Sequence, residues 1–115
     1  MIYSFSYAAG QENSLPEGCK IYDVRHFDDP VNLRIGRDGR DLPVRDYIAE
    51  QDGAAELVMD AALYVDSGKD VAFGCYAGMF RSVAFAEILR QYTDAPFIHH
   101  KGLEIYQKGI RVWES

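Results

Sequence analysis

The sequence predicts a single α/β domain with a mostly parallel sheet flanked by helices. Short apolar runs typical of strands alternate with segments whose apolar residues recur at helical spacing. Over residues 71–89 a strand-like run leads through a glycine-bearing loop directly into such a helix. A chain of 115 residues is long enough for one hydrophobic core and too short for two. We therefore expect residues 1–115 to form one domain.

The first part of the chain contains two predicted strands. Large and small residues alternate in Ile2–Tyr7, as on a half-buried strand, and residues 8–18 are rich in turn formers. Lys20–Val24 is the second predicted strand, and Arg25 and His26 follow it. Residues just beyond the carboxyl end of a strand often line ligand sites in open α/β sheets. Arg25 and His26 are therefore candidate binding residues.

A charged loop and two helices are expected next. Residues 32–45 mix four arginines with aspartates, which indicates a long, self-neutralising surface loop. Residues 44–50 are consistent with a short helix. Residues 54–65 carry apolar side chains at helical spacing and predict an amphipathic helix, which Ser67-Gly68 ends.

The C-terminal part begins with a short predicted strand, Phe97–Ile98, which runs into His99-His100. Adjacent residues of a strand point to opposite faces, so these two histidines cannot readily bind one ion. No cysteine or carboxylate stands at ligand spacing, and neither a metal nor a cofactor is expected. Residues 103–113 predict either a short helix plus a strand or a docking arm.

The central segment carries the strongest functional signal. An apolar run from Val71 to Phe73 predicts a buried strand, and a helical pattern resumes beyond Arg81. The backbone N–H groups of the intervening loop and of the helix N-terminus point to one place, where the helix dipole favours negative charge. Cys75 opens this loop and Arg81 closes it. The arginine fork is suited to two oxygens of a phosphate or a carboxylate.

Bulk composition limits the classes of partner. A net charge of −6 argues against broad nucleic-acid or membrane-surface binding, which needs a positive field. No apolar stretch approaches the roughly 20 residues that cross a bilayer. Two cysteines, Cys19 and Cys75, are too few for a disulfide framework, so reduced thiols in a cytoplasmic protein are expected.

One interpretation of the loop is enzymatic. Cys75-x5-Arg81-Ser82 resembles the His-Cys-x5-Arg-Ser/Thr loop of the dual-specificity phosphatases, although Gly74 stands in place of that histidine. The Cys75 thiolate would attack a phosphoester while Arg81 and the loop N–H groups hold its oxygens, with Ser82 offering a hydroxyl to the sulfur. The resemblance implies an upstream aspartic acid as the proton donor, and Asp41 and Asp46 are the candidates.

A wider resemblance covers nearly the whole chain. The ordered series is Ile21-Tyr-Asp-Val-Arg25, Asp29-Pro30, Leu42-Pro-Val-Arg-Asp-Tyr-Ile48, Gly74-Cys75 to Gly78 with Arg81-Ser-Val83, and His100 before Leu103-Glu104. It resembles the C-terminal domain of the RapZ family of RNase adapter proteins. Members of that family carry a Walker-type nucleotide-binding domain, whose G-x-x-x-x-G-K-[ST] motif this sequence lacks.

The resemblance implies a domain that binds an amino-sugar phosphate, takes part in self-association and binds small regulatory RNAs. By position it implies ligand contacts from the loop, the end of the second strand and the last strand. The residues are Asp23, Arg25, Cys75, Gly78, Arg81, Ser82 and His100. Tyr76 and Ala77 replace a Thr-Gly pair of the family and Phe80 replaces a histidine, so the mouth of the pocket is expected to be more apolar.

We therefore expect a regulatory or adapter module that binds a phosphorylated small molecule, or another compact anion, in the Cys75–Arg81 loop. A cysteine-dependent phosphatase is the alternative, an RNA-binding adapter is a third possibility, and a homo-oligomer is possible. Arg81→Ala is expected to weaken anion binding about tenfold or more without unfolding the chain. The expected ligand contacts are Cys75, Tyr76, Ala77, Gly78, Met79, Phe80, Arg81, Ser82, Asp23, Arg25, His26 and His100.

Overall fold

The fold is described from a computed structural model, in which residues 1–94 and 97–107 are described. Its four strands form one sheet in which every neighbouring pair is parallel, in the order β2-β3-β1-β4. The strands are β1 (Ile2–Ser6), β2 (Lys20–Asp23), β3 (Val71–Cys75) and β4 (Ile98–His100). This confirms the predicted α/β class and the predicted parallel sheet.

Helices connect and flank the strands. They are α1 (Leu42–Ala49), α2 (Ala54–Asp66), α3 (Arg81–Arg90) and α4 (Lys101–Gln107). Short 3-10 turns lie at Gln11–Ser14 and Pro30–Leu33. Within the described residues, no helix is long and apolar enough to span a membrane.

The hydrophobic core lies between the sheet and helices α1 to α3. Phe73 of β3 stacks on Phe85 of α3, with ring centroids 5.7 Å apart, and Phe27 packs on Phe85 at 4.8 Å. All five residues of β3 are buried because the strand pairs on both sides, with β1 and with β2. The apolar run Val71–Phe73 is therefore the central strand that the sequence predicts.

Several boundaries differ from the sequence predictions, including the following three. Strand β3 continues through Cys75, so the thiol belongs to the strand end rather than to the loop. Helix α1 begins at Leu42, two residues earlier than predicted, because Pro43 in its first turn costs no backbone hydrogen bond. Of the predicted tail, residues 103–107 belong to α4, whereas residues 108–113 lie outside the described part of the chain.

The arginine-rich segment is more ordered than a solvated loop. Its charges do neutralise one another, since Arg40 pairs with Asp38 at 2.8 Å and Arg37 with Asp41 at 3.7 Å. However, Asp38 and Gly39 are buried against the body of the domain. The segment therefore packs on the protein as well as covering its surface.

Candidate functional site

The candidate site lies where the carboxyl ends of the parallel strands meet. Strand β3 ends at Cys75, between β1 and β2, and the loop of residues 76–80 leads from it into α3. The segment after β2 and the end of β4 lie at the same edge because all four strands run in one direction. The fold thus brings together at one edge the three segments that the sequence predicted as ligand-binding.

Hydrogen-bond donors converge on the Cys75 sulfur. Its Sγ accepts the backbone N–H of Gly78 at 3.3 Å and that of Ser82 at 3.4 Å. The thiol also contacts the Ser82 hydroxyl, with Sγ and Oγ 3.1 Å apart. Inward-facing N–H groups of this kind form a concave nest that suits negative charge. The cysteine fills the inner side of the nest and is only 2% exposed.

Two glycines from other segments hold the loop. Gly102 of α4 packs so closely that a Cβ there would lie 2.4 Å from the Gly78 carbonyl oxygen. On another side, the Gly39 N–H donates to the Met79 carbonyl at 2.7 Å, and a Cβ on Gly39 would lie 2.4 Å from the Phe80 oxygen. Gly78 itself adopts a positive φ of 74°, which favours glycine. The loop conformation is therefore fixed by backbone-to-backbone packing.

The Arg81 guanidinium faces the segment that follows β2. It donates to the carbonyls of Arg25 and Phe27, the latter at 3.2 Å, and lies 3.5 Å from the Asp29 carboxylate. The residue is 8% exposed. Arg81 therefore connects the start of α3 to residues 25–29 through its two terminal nitrogens, whereas its Nε is buried without a hydrogen-bond partner among the described residues.

Arg25 is the exposed cation at this edge. Its guanidinium forms a two-pronged contact with Asp23, with the shortest N–O distance 2.6 Å, and lies 4.0 Å from the centre of the Tyr7 ring. The hydrogen bond from Arg25 lowers the pKa of Asp23 and keeps that side chain ionised. His26 is also exposed and packs against Phe27. Arg25 is thus an exposed guanidinium at this edge, whereas the Arg81 guanidinium is buried.

His100 takes part in a chain of polar side chains that crosses the sheet. Its Nδ1 lies 2.6 Å from the Ser4 hydroxyl, and its Nε2 lies 2.7 Å from the Glu87 carboxylate of α3. The hydrogen bond from His100 lowers the pKa of Glu87. His99 points the other way, toward Tyr3 and Glu104, as expected for adjacent residues of a strand. Both ring nitrogens of His100 are therefore engaged inside the protein.

The loop side chains divide into an exposed and a buried group. Tyr76 is exposed at the mouth, beside the half-buried Ala77. Met79 is buried with Val83 and Leu103 in a small apolar cluster, and Phe80 packs against it. Met79 therefore supports the loop from beneath, whereas Tyr76 can contact a ligand.

The two candidate proton donors differ in environment. Asp41 accepts the Arg37 backbone N–H at 2.6 Å, and this bond is the main reason that its pKa is lowered. A lowered pKa keeps Asp41 ionised, which is the wrong state for donating a proton at neutral pH. Asp46 is exposed on α1.

Sequence reasoning missed four residues that shape this edge. Gly39 and Gly102 set the loop position, and Ser4 and Glu87 engage His100. The sequence offered a signal for the two glycines: Gly39 lies within an arginine-rich stretch, and Gly102 lies just inside the last helix. The contacts of Ser4 and Glu87 with His100 could not be predicted from the sequence, because they depend on pairing between distant strands and a helix.

The fold and the edge together define an α/β binding domain with a backbone nest at a helix N-terminus. Within the described residues there is no group of three or more His, Cys, Asp or Glu side chains that could hold a metal ion. Comparison with known families gives the particular class. The profile of the RapZ C-terminal domain matches residues 1–104, and the chain belongs to this family.

Several relatives are named nucleotide-binding proteins. One from Ruegeria sp. (strain TM1040) is 35% identical over 102 residues, covering 76% of this chain and 33% of the relative. One from Mycobacterium avium is 42% identical over 89 residues, which cover 65% of this chain and 30% of the relative. One from Dinoroseobacter shibae is 36% identical over 125 residues, which cover 95% of this chain and 40% of the relative. The chain thus spans about a third of the length of the relatives it matches.

Proposed function

We propose that this domain binds a phosphorylated small molecule at the Cys75–Arg81 loop and acts as a regulatory or adapter module. The observation that carries the proposal is the loop at the N-terminus of α3, whose Gly78 and Ser82 N–H groups already point inward at an electron-rich atom, the Cys75 sulfur. Helix N-termini with inward-facing N–H groups are ready-made sites for phosphate. The loop needs no ordering on binding, because Gly39 and Gly102 already fix it.

The remaining donors of the loop supply the contacts for the anion. The backbone N–H groups of Ala77, Met79 and Phe80 donate to no acceptor within the described part of the chain. A phosphoryl group at the mouth would accept these N–H groups while Cys75 fills the inner side. Arg25, held on the Tyr7 ring, is the cation available to neutralise it. Tyr76 would contact the non-phosphate part of the ligand.

The names of the relatives agree with a phosphorylated ligand but do not specify it. Nucleotide binding is the property in the names of these relatives, which are about three times as long as this chain. This sequence contains no G-x-x-x-x-G-K-[ST] motif. We therefore propose a ligand in the size range of a sugar phosphate, as the family resemblance implies, with nucleotides as the comparison set.

A cysteine-dependent phosphatase is the second candidate, favoured by the contact between Cys75 Sγ and the Ser82 hydroxyl. Two features weigh against it. The sulfur is enclosed by its own loop, and Asp41 is held in the ionised state. Binding of RNA ranks third, because the net charge of −6 repels a phosphate backbone.

Calorimetry with matched ligands tests the proposal. We expect an amino-sugar phosphate or a related sugar phosphate to bind about tenfold or more tightly than the same sugar without phosphate. Arg25→Gln should weaken that binding about tenfold, whereas Arg37→Gln, an exposed arginine that also pairs with an aspartate, should leave it unchanged. Equal affinities for the phosphorylated and plain sugars would refute the proposal.

Hydrolysis of an aryl phosphate separates the second candidate. If the domain is only a binding module, neither the wild type nor Cys75→Ser should hydrolyse the aryl phosphate. Turnover by the wild type that disappears in Cys75→Ser would instead identify a phosphatase.

A further inference from the structure

The helical face of the domain carries an open apolar groove that the proposed site does not use. It has a volume of about 420 Å³ and lies between α2 and the end of α3, with α1 at one side. Its rim consists of Met59, Leu63 and Tyr92, which are 71%, 69% and 70% exposed. Its lining also includes the buried Ala54, the half-buried Ala62 and the exposed Ala55. Large apolar side chains grouped around one groove are typical of an interaction surface.

The charged residues of the stretch that contains α2 are all acidic. From residue 46 to residue 68, the stretch that contains α2, the sequence has no lysine or arginine. All the carboxylates of this stretch are exposed. They are Asp46, Glu50, Asp52, Glu56, Asp60 and Asp66. The end of α3 adds one cation, Arg90.

We propose that this groove binds an amphipathic helix of a partner protein, with an apolar stripe flanked by lysines or arginines. The small alanine side chains of the lining allow a third helix to approach α2 and α3 closely, and the exposed rim side chains would pack around its apolar stripe. Glu56 and Asp66 of α2 would face the basic residues of the partner, which favours a partner of opposite charge, whereas Asp60 accepts the Tyr22 hydroxyl of β2.

The same observations disfavour other occupants. A small-molecule site usually includes a few convergent polar groups, and the lining of this groove is apolar apart from the Tyr92 hydroxyl. Anionic lipid or nucleic acid would meet the row of carboxylates. A second copy placed symmetrically on this face would bring two equally acidic surfaces together.

Fluorescence anisotropy with a synthetic helix tests the proposal. The probe is a labelled peptide of about 16 residues, a little longer than α2, with leucines on one helical face and lysines elsewhere. The control peptide keeps the leucines and has glutamate in place of every lysine. We expect the basic peptide to bind at least about tenfold more tightly than the acidic one.

Paired variants assign the binding to the groove. Met59→Gln combined with Leu63→Gln should weaken peptide binding about tenfold or more, because the rim loses two apolar contacts. The matched control, Leu33→Gln combined with Leu42→Gln, removes two exposed leucines outside the groove and should change affinity less than about twofold. Both double variants alter exposed side chains, so each should unfold within about 0.5 kcal/mol of the wild type.

Three outcomes would overturn the proposal. The first is no binding of the basic peptide at about 1 mM. The second is equal weakening by the groove and control variants, which would indicate attraction by charge alone. The third is concentration-dependent self-association in analytical ultracentrifugation that the groove variant abolishes, since this would assign the face to a second copy.

Discussion

The two ends of helix α3 lie in opposite physical settings. At its N-terminus the loop after β3 is enclosed: the Cys75 sulfur accepts two backbone N–H groups, the Arg81 guanidinium donates to the carbonyls of Arg25 and Phe27, and glycines fix the backbone. At its C-terminus Tyr92 stands exposed over an apolar groove without buried polar groups. The first region is preorganised for a compact ligand with strict geometry. The second region offers apolar area and negative charge, which suit contact with the surface of another protein.

This difference predicts how mutations act. Around the loop, changes should affect folding and binding together, because the same contacts hold the backbone and shape the nest. In the groove, changes of exposed side chains should affect binding alone. Predictions about the loop region therefore concern stability, in order of decreasing expected effect.

Arg81→Met is expected to cost about 3 to 4 kcal/mol of unfolding free energy. The substitution keeps the length of the side chain but leaves the carbonyls of Arg25 and Phe27 without their donor. Urea denaturation measures the loss. The exposed Arg37→Met is the control and should change stability by less than about 0.5 kcal/mol. A near-neutral Arg81→Met would show that the guanidinium does not hold residues 25–29.

Gly102→Ala should destabilise the fold by about 2 to 3 kcal/mol. The added methyl group would clash with backbone atoms of Gly78, which cannot move aside as a flexible side chain can. The control is Gly53→Ala. That glycine has a positive φ of 86° and open space around it, so only about 1 kcal/mol of backbone strain is expected. Thermal unfolding of the two variants gives the difference. Equal losses would mean that the loop has room to shift away from α4.

Glu87 provides a smaller, pH-dependent contribution. Since the hydrogen bond from His100 lowers its pKa, the folded state favours ionised Glu87 more than the unfolded chain does. The resulting stabilisation is present above the ordinary glutamate pKa of 4.5 and is lost as the pH falls through the lowered pKa of the folded state.

Urea unfolding from about pH 7 down to about pH 3 measures this contribution. The wild type should lose on the order of 1 kcal/mol more than Glu87→Gln over this range, because the amide does not titrate. Identical pH profiles would contradict a stabilising role for ionised Glu87.

Local patterns in the sequence predicted most of the architecture. The apolar run at Val71–Phe73, the glycine-bearing loop and the helical spacing beyond it predicted the central unit, and the structure confirms the parallel sheet. The pleat of a strand likewise predicted that His99 and His100 point to opposite faces. These features depend on neighbours in sequence, so periodicity alone reveals them.

Side-chain directions at the candidate site were harder to predict from the sequence. The spacing of Cys75 and Arg81 indicated two groups near one loop, but the guanidinium contacts residues 25–29 instead of standing free over it. The sequence also predicted that losing Arg81 leaves the fold intact, whereas its buried contacts indicate a cost in stability. An arginine can extend in several directions, and the choice depends on which distant carbonyls need donors.

The sequence by itself determined the fold class, the position of the loop and the alternation that separates neighbouring side chains, because each follows from local backbone preference and hydrophobic spacing. Only the tertiary structure decided that Gly39 and Gly102 hold the loop, that Ser4 and Glu87 engage His100, and that an acidic stretch borders an apolar groove. Those features arise where segments far apart in the chain come into contact, and local sequence patterns do not reveal which distant segments will meet.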